Sequence, residues 1–422
     1  MKPTLAARVR RVFLATLGLL ILRAGAGLLG WFYLEKAAES LRVELKQELQ
    51  RTSVSGFPML IGSPQNCNLA KQFAVGLVEL ATRHPKESQP PPGVQGGAEI
   101  SSDASPEWVR VSNLCSVCDW FPNGELPSAE YEEQLRRGIS LVGSHMVASR
   151  RGLASTVGGK DETAMLLELL RFSECAATAR LALRLAAIRV AGEVVGALTI
   201  LVTEGRLASE ASLSQMATNL GSLEPHLPSV AGGIRVEALA LAVSIAQLTK
   251  EKGERGSFEG LLPSTAVAAY RFRRDESLIR ETMSAVDIPD LGALRQAAER
   301  IRAQARLAGS EWLVEGLPSL YANRLVQQHL VARFRILCTV VDLELVRIRD
   351  GKYPDSAWSD GLREDPFGLG HELRYERKGS GYRLWSVGIP GLNGDLDGKD
   401  ASLMVEVPNL TQRPSDDAKP VS

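Results

Sequence analysis

The first pattern along the chain is an unbroken apolar run. Val12 to Leu34 holds a single charged residue, Arg23, and is long enough to cross a hydrocarbon layer of about 30 Å once as a helix. Lys2, Arg8, Arg10 and Arg11 precede it, while Glu35 and Lys36 follow it. Trp31, Phe32 and Tyr33 close the run in the manner of an aromatic belt at a membrane surface. An arginine at a helix centre costs about 2.5–3.5 kcal/mol on insertion, which the Leu, Ile, Val and Phe residues on both sides offset, and Arg23 is expected to snorkel. A cleaved signal peptide is the competing reading, with Val12 to Leu22 as its apolar core and Ala24-Gly25-Ala26 as the small-residue cleavage site. The return of apolar residues after Ala26 favours an uncleaved anchor. Its basic flank then lies in the cytoplasm and everything after Leu34 beyond the membrane. No later segment is expected to form a second span.

Past the anchor the pattern becomes that of amphipathic helices. Residues 35–84 read as juxtamembrane helices, Glu35–Arg51 continuing the anchor and Asn68–Thr82 forming another. Residues 85–106, with Pro90-Pro91-Pro92-Gly93 and Gly96-Gly97, read as a linker that can bury little surface. Trp108–Pro127 fits no template, and Glu130–Arg151 has a polar helical pattern. Residues 107–318 are expected to form a helical domain. Its segments are Thr163–Gly192, Val194–Thr203, Glu210–Leu223, Gly232–Lys250, Thr265–Arg271, Glu276–Ala285 and Gly292–Ala308. In the last of these, Leu294, Ala298, Ile301 and Ala305 share a face, leaving Arg295, Arg300 and Arg302 for solvent.

The longest helix is expected over Ser319–Asp350. Val326, Leu330, Phe334, Leu337, Val341, Leu345 and Ile348 recur at steps of three and four and form one apolar seam. Gly351 suits a left-handed cap, and Pro354 prevents continuation. Leu373–Glu376 and Tyr382–Ser386 then carry β-forming residues around Lys378-Gly379-Ser380-Gly381, which predicts a hairpin. The long helix and the β module occupy residues 319–410, and residues 411–422 read as a disordered tail. The fold class expected is mainly α: an N-terminal transmembrane helix (residues 1–34 with its cytoplasmic tip), a large α-helical region and a small α+β module.

Composition adds limits. A chain of 422 residues suits about two to three folded units. Lys plus Arg and Asp plus Glu stand at 49 each, so no basic footprint points to nucleic acid. Five cysteines leave at least one unpaired in an oxidising compartment. Cys115 and Cys118 form a lone C-x-x-C with Cys67 upstream, a structural disulfide or plain thiols rather than a redox or zinc site. Cys175 and Cys338 fall in helical patterns and read as small buried apolar residues.

The end of the chain resembles a known family. The motifs are Asp350-Gly351-Lys352-Tyr353-Pro354 at the close of a long helix, Asp365-Pro366-Phe367-Gly368, Leu373-Arg374-Tyr375 and Gly381-Tyr382-Arg383-Leu384-Trp385-Ser386-Val387-Gly388. Asn393-Gly394-Asp395-Leu396-Asp397-Gly398-Lys399-Asp400 follows. In this order they resemble the globular end of the major pseudopilins of type II secretion systems, over about Val326–Val407. The resemblance implies a small sheet packed on the helix and an acidic loop that binds calcium. Here the corresponding helix stands far downstream of the anchor, and the anchor lacks the family's processing signal.

On its own chemistry, the loop sets Asn393, Asp395 and Asp397 at alternate positions before Gly398, with Asp400 to close the set. That is an oxygen-rich pattern for a hard cation such as Ca²⁺, though the bidentate Glu of an EF-hand is missing. A solvated tight turn uses the same residue types. Asp365 is expected to cap a turn before Pro366. His84, His145, His226, His329 and His371 have no metalloprotease spacing, no Gly-x-Ser-x-Gly occurs, and the segment at Gly159-Lys160 is not a phosphate-binding loop.

The expectation is a non-catalytic, single-pass protein of the bacterial inner membrane with its bulk in the periplasm. It would act as an interaction or scaffold component with other envelope proteins, linked to secretion or pilus-like machinery. The alternatives are a helical module that binds a peptide or lipid in a groove, and an envelope hydrolase.

Overall fold

The computed structural model describes residues 5–53, 133–140, 180–207, 209–255, 264–355, 362–367, 370–388 and 403–407, with the single positions 163, 166, 167, 170 and 173. The described helices are α1 (Leu5–Ser53), α2 (133–140), α3 (Leu181–Thr203), α4 (Glu210–Leu223), α5 (Val230–Arg255), α6 (Ser264–Ala285), α7 (Leu291–Leu307), α8 (Glu311–Gly316) and α9 (Leu320–Asp350). A 3-10 turn, Glu224–His226, follows α4. Strands β1 (Arg374–Lys378), β2 (Gly381–Trp385) and β3 (Met404–Val407) form one antiparallel sheet in that order. The chain is mainly helical with a small sheet, as its pattern predicts. The helix expected at Asn68–Thr82, the linker 85–106, the segment Trp108–Pro127, the C-x-x-C and the tail 411–422 lie outside the described residues.

Local chemistry sets several boundaries. Ser209 caps α4 by accepting from the Ser212 amide at 3.2 Å, and Asp290 caps α7 by accepting from the Ala293 amide at 2.6 Å. Gly351 ends α9 with φ +73°, the left-handed conformation expected there. Two expected breaks are absent. Helix α3 runs through Gly192-Glu193 because its glycines make room for a neighbour: a Cβ at Gly196 would lie 2.7 Å from an Arg333 guanidinium nitrogen. Helix α6 runs through its charged middle because Phe272 and Asp275 are buried there, the Asp275 carboxylate accepting from Ser310 Oγ at 2.6 Å.

The described helices and strands group into two compact units, neither contiguous in sequence. The first takes Met1–Arg51 and Ala231–Tyr321, and the second takes Thr52–Val230 and Ala322–Ser422. Helix α1 shares a unit and a core with α5–α8. In the first unit Leu34, Ala38 and Leu41 of α1 meet Ala238, Leu239, Ala242 and Ala246 of α5 and Ala269, Phe272, Leu278 and Ile279 of α6. Short alanine side chains let the helix axes approach closely, so burial here is spread thinly over many contacts. On α7, Leu294, Ala298, Ile301 and Ala305 are buried as expected. The arginines opposite form surface pairs, Arg295 with Glu299 at 3.0 Å and Arg300 with Glu281 at 2.8 Å.

In the second unit α9 is buried more widely than a single seam. Leu330, Phe334, Leu337 and Val341 are buried as the spacing predicts, but Ala332, Ile336, Val340 and Leu343 are buried too. Val326, the first residue of the expected seam, is exposed. The helix is central, so its second face is also covered. Arg335 donates to Glu224 at 2.8 Å and to the Glu364 carbonyl at 2.8 Å. Below Gly351 the chain folds back and buries Tyr353, whose hydroxyl donates to the buried Glu344 carboxylate at 2.6 Å. The Tyr353 ring meets Tyr382 of β2 edge-on at 4.8 Å, which seats the sheet on the helix end. The hairpin turns at Gly379-Ser380, with Gly379 at φ +61°, and β3 adds a strand to the expected pair.

Candidate functional site: the exposed apolar half of α1 and its seat

Helix α1 has two halves of opposite character. Leu14, Leu17, Leu19, Leu20, Ile21 and Leu22 are exposed on all sides of the helix, and Leu28, Leu29 and Phe32 continue that surface. From Leu34 onward one face is buried in the first unit. The segment Leu14–Leu49 has a window of mean hydropathy 1.6 of which only 11% is buried. Leu181–Thr203 and Glu210–Glu251 are also long and apolar enough to cross a membrane, at 1.9 and 1.5. This corrects the expectation that nothing after Leu34 resembles a span. Burial separates the three, since 61% and 44% of the later windows is already covered by protein.

The contact of α1 with the rest of the first unit begins at Gly27. Thr265 Oγ1, in the first turn of α6, donates to the Gly27 carbonyl at 3.1 Å. A Cβ at Gly30 would lie 2.8 Å from the Thr265 carbonyl oxygen and 2.9 Å from Ala266 Cα, so only glycine permits this approach. Tyr33 donates to Glu276 Oε2 at 3.2 Å. Lys250 of α5 pairs with Glu35 at 3.3 Å and lies 4.9 Å over the Trp31 ring. Farther along, both Arg280 terminal nitrogens bond the Glu44 carboxylate at 3.1 Å, which raises the Arg280 pKa, while Arg235 pairs with Asp287 and lies 3.7 Å from Glu48. The order of these pairs makes α5 antiparallel and α6 parallel to α1.

These contacts revise the aromatic-belt reading. Trp31 and Tyr33 face protein partners, and Phe32 alone of the three points outward. The sequence reading missed Gly27, Gly30 and Thr265. A signal existed: Gly27, Gly30, Leu34, Ala38 and Leu41 recur at helical steps of three and four, a small-to-apolar stripe hidden by the apolar run around it.

A second built feature lies at the base of the C-terminal loop. Asp365 is buried and accepts from the Phe367 amide at 3.0 Å, Ser386 Oγ at 2.7 Å and the Val387 amide at 2.7 Å. The turn expected before Pro366 is therefore an Asx turn, and the same carboxylate also holds the end of β2. The Ser386 amide donates to the Leu403 carbonyl at 3.1 Å, which closes the two ends of the connection from β2 to β3. Asn393, Asp395, Asp397 and Asp400 belong to that connection and lie outside the described residues. Arg383 of β2 and Lys378 at the end of β1 hold the Glu406 carboxylate of β3 at 3.0 and 3.3 Å and lower its pKa.

Comparison of the chain with protein-family models, with curated proteins and with solved structures finds no match. The remaining chemistry must therefore be judged from the side chains. Among the described residues no group of three or more His, Cys, Asp and Glu is arranged to hold a metal ion. His329 packs edge-on against Phe367 at 5.3 Å, and Cys338 is a buried free thiol whose pKa burial pushes up to about 12. A shallow, open cleft lies in the first unit between α7 and α8, lined by Ala298, Ile301, Leu313 and Leu317.

Proposed function

We propose that the protein is a non-catalytic, single-pass membrane-anchored component of the bacterial envelope. It holds a helical scaffold and a C-terminal β module at the periplasmic face of the inner membrane for contact with other envelope proteins. The observation that carries this reading is the continuity of α1. One helix leaves an apolar half bare and builds the other half into the core of the first unit. A hinge at the membrane surface is thereby avoided, and the orientation of the anchor is passed directly to that unit. The apolar run from Val12 to Leu29, exposed along its described side chains from Leu14, is close in length to a hydrocarbon layer of about 30 Å at about 1.5 Å per residue. The later apolar helices belong in this reading to protein cores, because most or much of their apolar surface is already covered.

The link to secretion or pilus-like machinery rests on the C-terminal module. Support comes from the order of long helix, Gly351 cap, buried Tyr353, Asp365 turn and three-stranded sheet, in the sequence in which the pseudopilin-like motifs occur. The loop closed by the Ser386–Leu403 bond carries Asn393, Asp395, Asp397 and Asp400 as the ligands for one Ca²⁺, which would order the loop as a partner-facing surface. Calcium titration by calorimetry of the full chain in detergent tests this, with an Asp395→Ala, Asp397→Ala double variant as control. Saturable binding lost in the variant is expected; no binding by the parent would refute the calcium site. Alkaline extraction of membranes tests the anchor: the full chain should stay in the pellet, and its release would refute the reading. Crosslinking in native membranes should recover envelope partners, and self-contacts alone would refute the scaffold role.

A further inference from the structure

The face of α1 opposite its seat stays apolar farther than the seat itself. Gly30 is in contact with α6, yet Leu28, Leu29 and Phe32 point outward at the same level. Outward positions turn charged at Glu35, Lys36 and Glu39. The hydrocarbon edge is therefore near Phe32, beyond the first contacts with α5 and α6. Those helices cannot meet α1 there without entering the membrane surface.

The register of the contacts gives the depth of the neighbouring side chains. Helix α6 runs parallel to α1 with Ala266 at Gly30, so Tyr270, Arg271 and Arg273 stand about 6–10 Å farther along the axis at 1.5 Å per residue. That is about 3–7 Å past Phe32, within a headgroup zone of roughly 5–8 Å per leaflet. Tyr270 is 72% exposed, and Arg271 and Arg273 are exposed beside it. Helix α5 approaches from the opposite direction and places Lys250 at Trp31 and Glu35, with Leu248, 56% exposed, one half-turn behind. Exposed Tyr270 and Leu248 stand beside Lys250, Arg271 and Arg273, with Glu251 exposed at the same end, and an aromatic and an aliphatic side chain flanked by basic residues suit a membrane interface.

We infer that the α5–α6 end of the first unit is a lipid-binding collar around the anchor, in which Leu248 and Tyr270 sit at the acyl boundary and Arg271 and Arg273 bind phospholipid phosphates. The occupant is the bilayer itself, because the collar is continuous with the bare apolar surface of α1. This inference rests on the anchor reading above and adds a second, shallower membrane contact to it. It also accounts for Gly30: a close approach lets α6 come down alongside the anchor to the depth of the headgroups.

The test is photocrosslinking of the full chain in vesicles of phosphatidylethanolamine and phosphatidylglycerol. p-Benzoylphenylalanine is placed singly at Leu20, Leu248, Tyr270 or Lys46, and lipid adducts are read by intact mass. Adducts are expected at Leu20, Leu248 and Tyr270 and not at Lys46, which is exposed on α1 farther from the membrane. With Arg271→Glu and Arg273→Glu added, adducts at Leu248 and Tyr270 should fall several-fold while those at Leu20 stay unchanged. Adducts at Leu20 alone overturn the collar and leave the anchor standing. No adduct at Leu20 overturns the anchor reading and the collar with it, and equal adducts at Lys46 and Tyr270 overturn the confinement of lipid contact to the collar.

Discussion

Gly30→Ala gives the sharpest test of how the anchor is seated. In a bare helix Ala is better than Gly by about 1 kcal/mol, so a helix without a close neighbour should gain from the change. At Gly30 the added carbon would sit 2.8 Å from the Thr265 carbonyl oxygen and 3.0 Å from the Ala266 nitrogen, both backbone atoms that cannot rotate away. Overpacking of this kind costs about 1–3 kcal/mol, and displacement of α6 also removes the hydrogen bond from Thr265 to Gly27, about 0.5–1.5 kcal/mol. The net expectation is a loss of about 1–3 kcal/mol concentrated at the first turns of α6. Gly25→Ala is the control, because no atom lies within 4 Å of its added carbon. Hydrogen exchange of the full chain in detergent should show faster exchange in the first turns of α6 for Gly30→Ala, by roughly tenfold or more. The melting temperature should fall for Gly30→Ala and hold or rise for Gly25→Ala. A Gly30→Ala protein as stable as its parent, with unchanged exchange in α6, would refute the close approach.

Asp365→Ala should cost about 2–4 kcal/mol, since it strands a buried amide, a part-buried amide and a buried hydroxyl, and it should weaken any calcium binding by the β2–β3 connection; chemical denaturation and calorimetry check the two effects. Tyr353→Phe should lower stability by about 1.5–3 kcal/mol by removing a hydroxyl bonded to the buried Glu344 carboxylate, read by the same denaturation. Hydrogen bonds from Arg383 and Lys378 hold the folded pKa of Glu406 below the ordinary carboxylate range, so its contribution is present above that range and is lost as pH falls through the folded pKa. Glu406→Gln should therefore flatten the acid side of the melting-temperature profile and lower the profile above it by a small, constant step. The Cys338 thiol, with its pKa at about 12, should resist alkylation at mildly alkaline pH until the chain unfolds, which peptide mapping after iodoacetamide can follow.

Much of the helical layout was legible because helical periodicity survives in a single sequence. Glu210–Leu223 coincides with α4, and the long helix to Asp350, its Gly351 stop and the hairpin were all readable from spacing and turn residues. Breaks were over-read where packing overrides propensity. Gly192 looks like an interruption in sequence, but the helix runs through it, and the close approach of Arg333 falls one turn later at Gly196. Strand β3 went unread because Met404–Val407 is too short to show alternation, and it becomes a strand only beside β2.

The anchor shows the same division between levels. Sequence alone determined that an apolar helix begins near Val12, because hydropathy is a local property of the chain. Where the bare surface gives way to protein contact could not be read there, since Leu28 and Leu34 are chemically the same residue. Tertiary structure decided it by bringing Thr265 and Ala266, more than two hundred residues away, against Gly27 and Gly30. Asp365 illustrates the point for the loop: its turn was visible from the Pro that follows, but its hold on Ser386 and Val387 exists only once β2 has paired. Local sequence sets which segments must hide from water, and only the fold determines whether another helix or a membrane does the hiding.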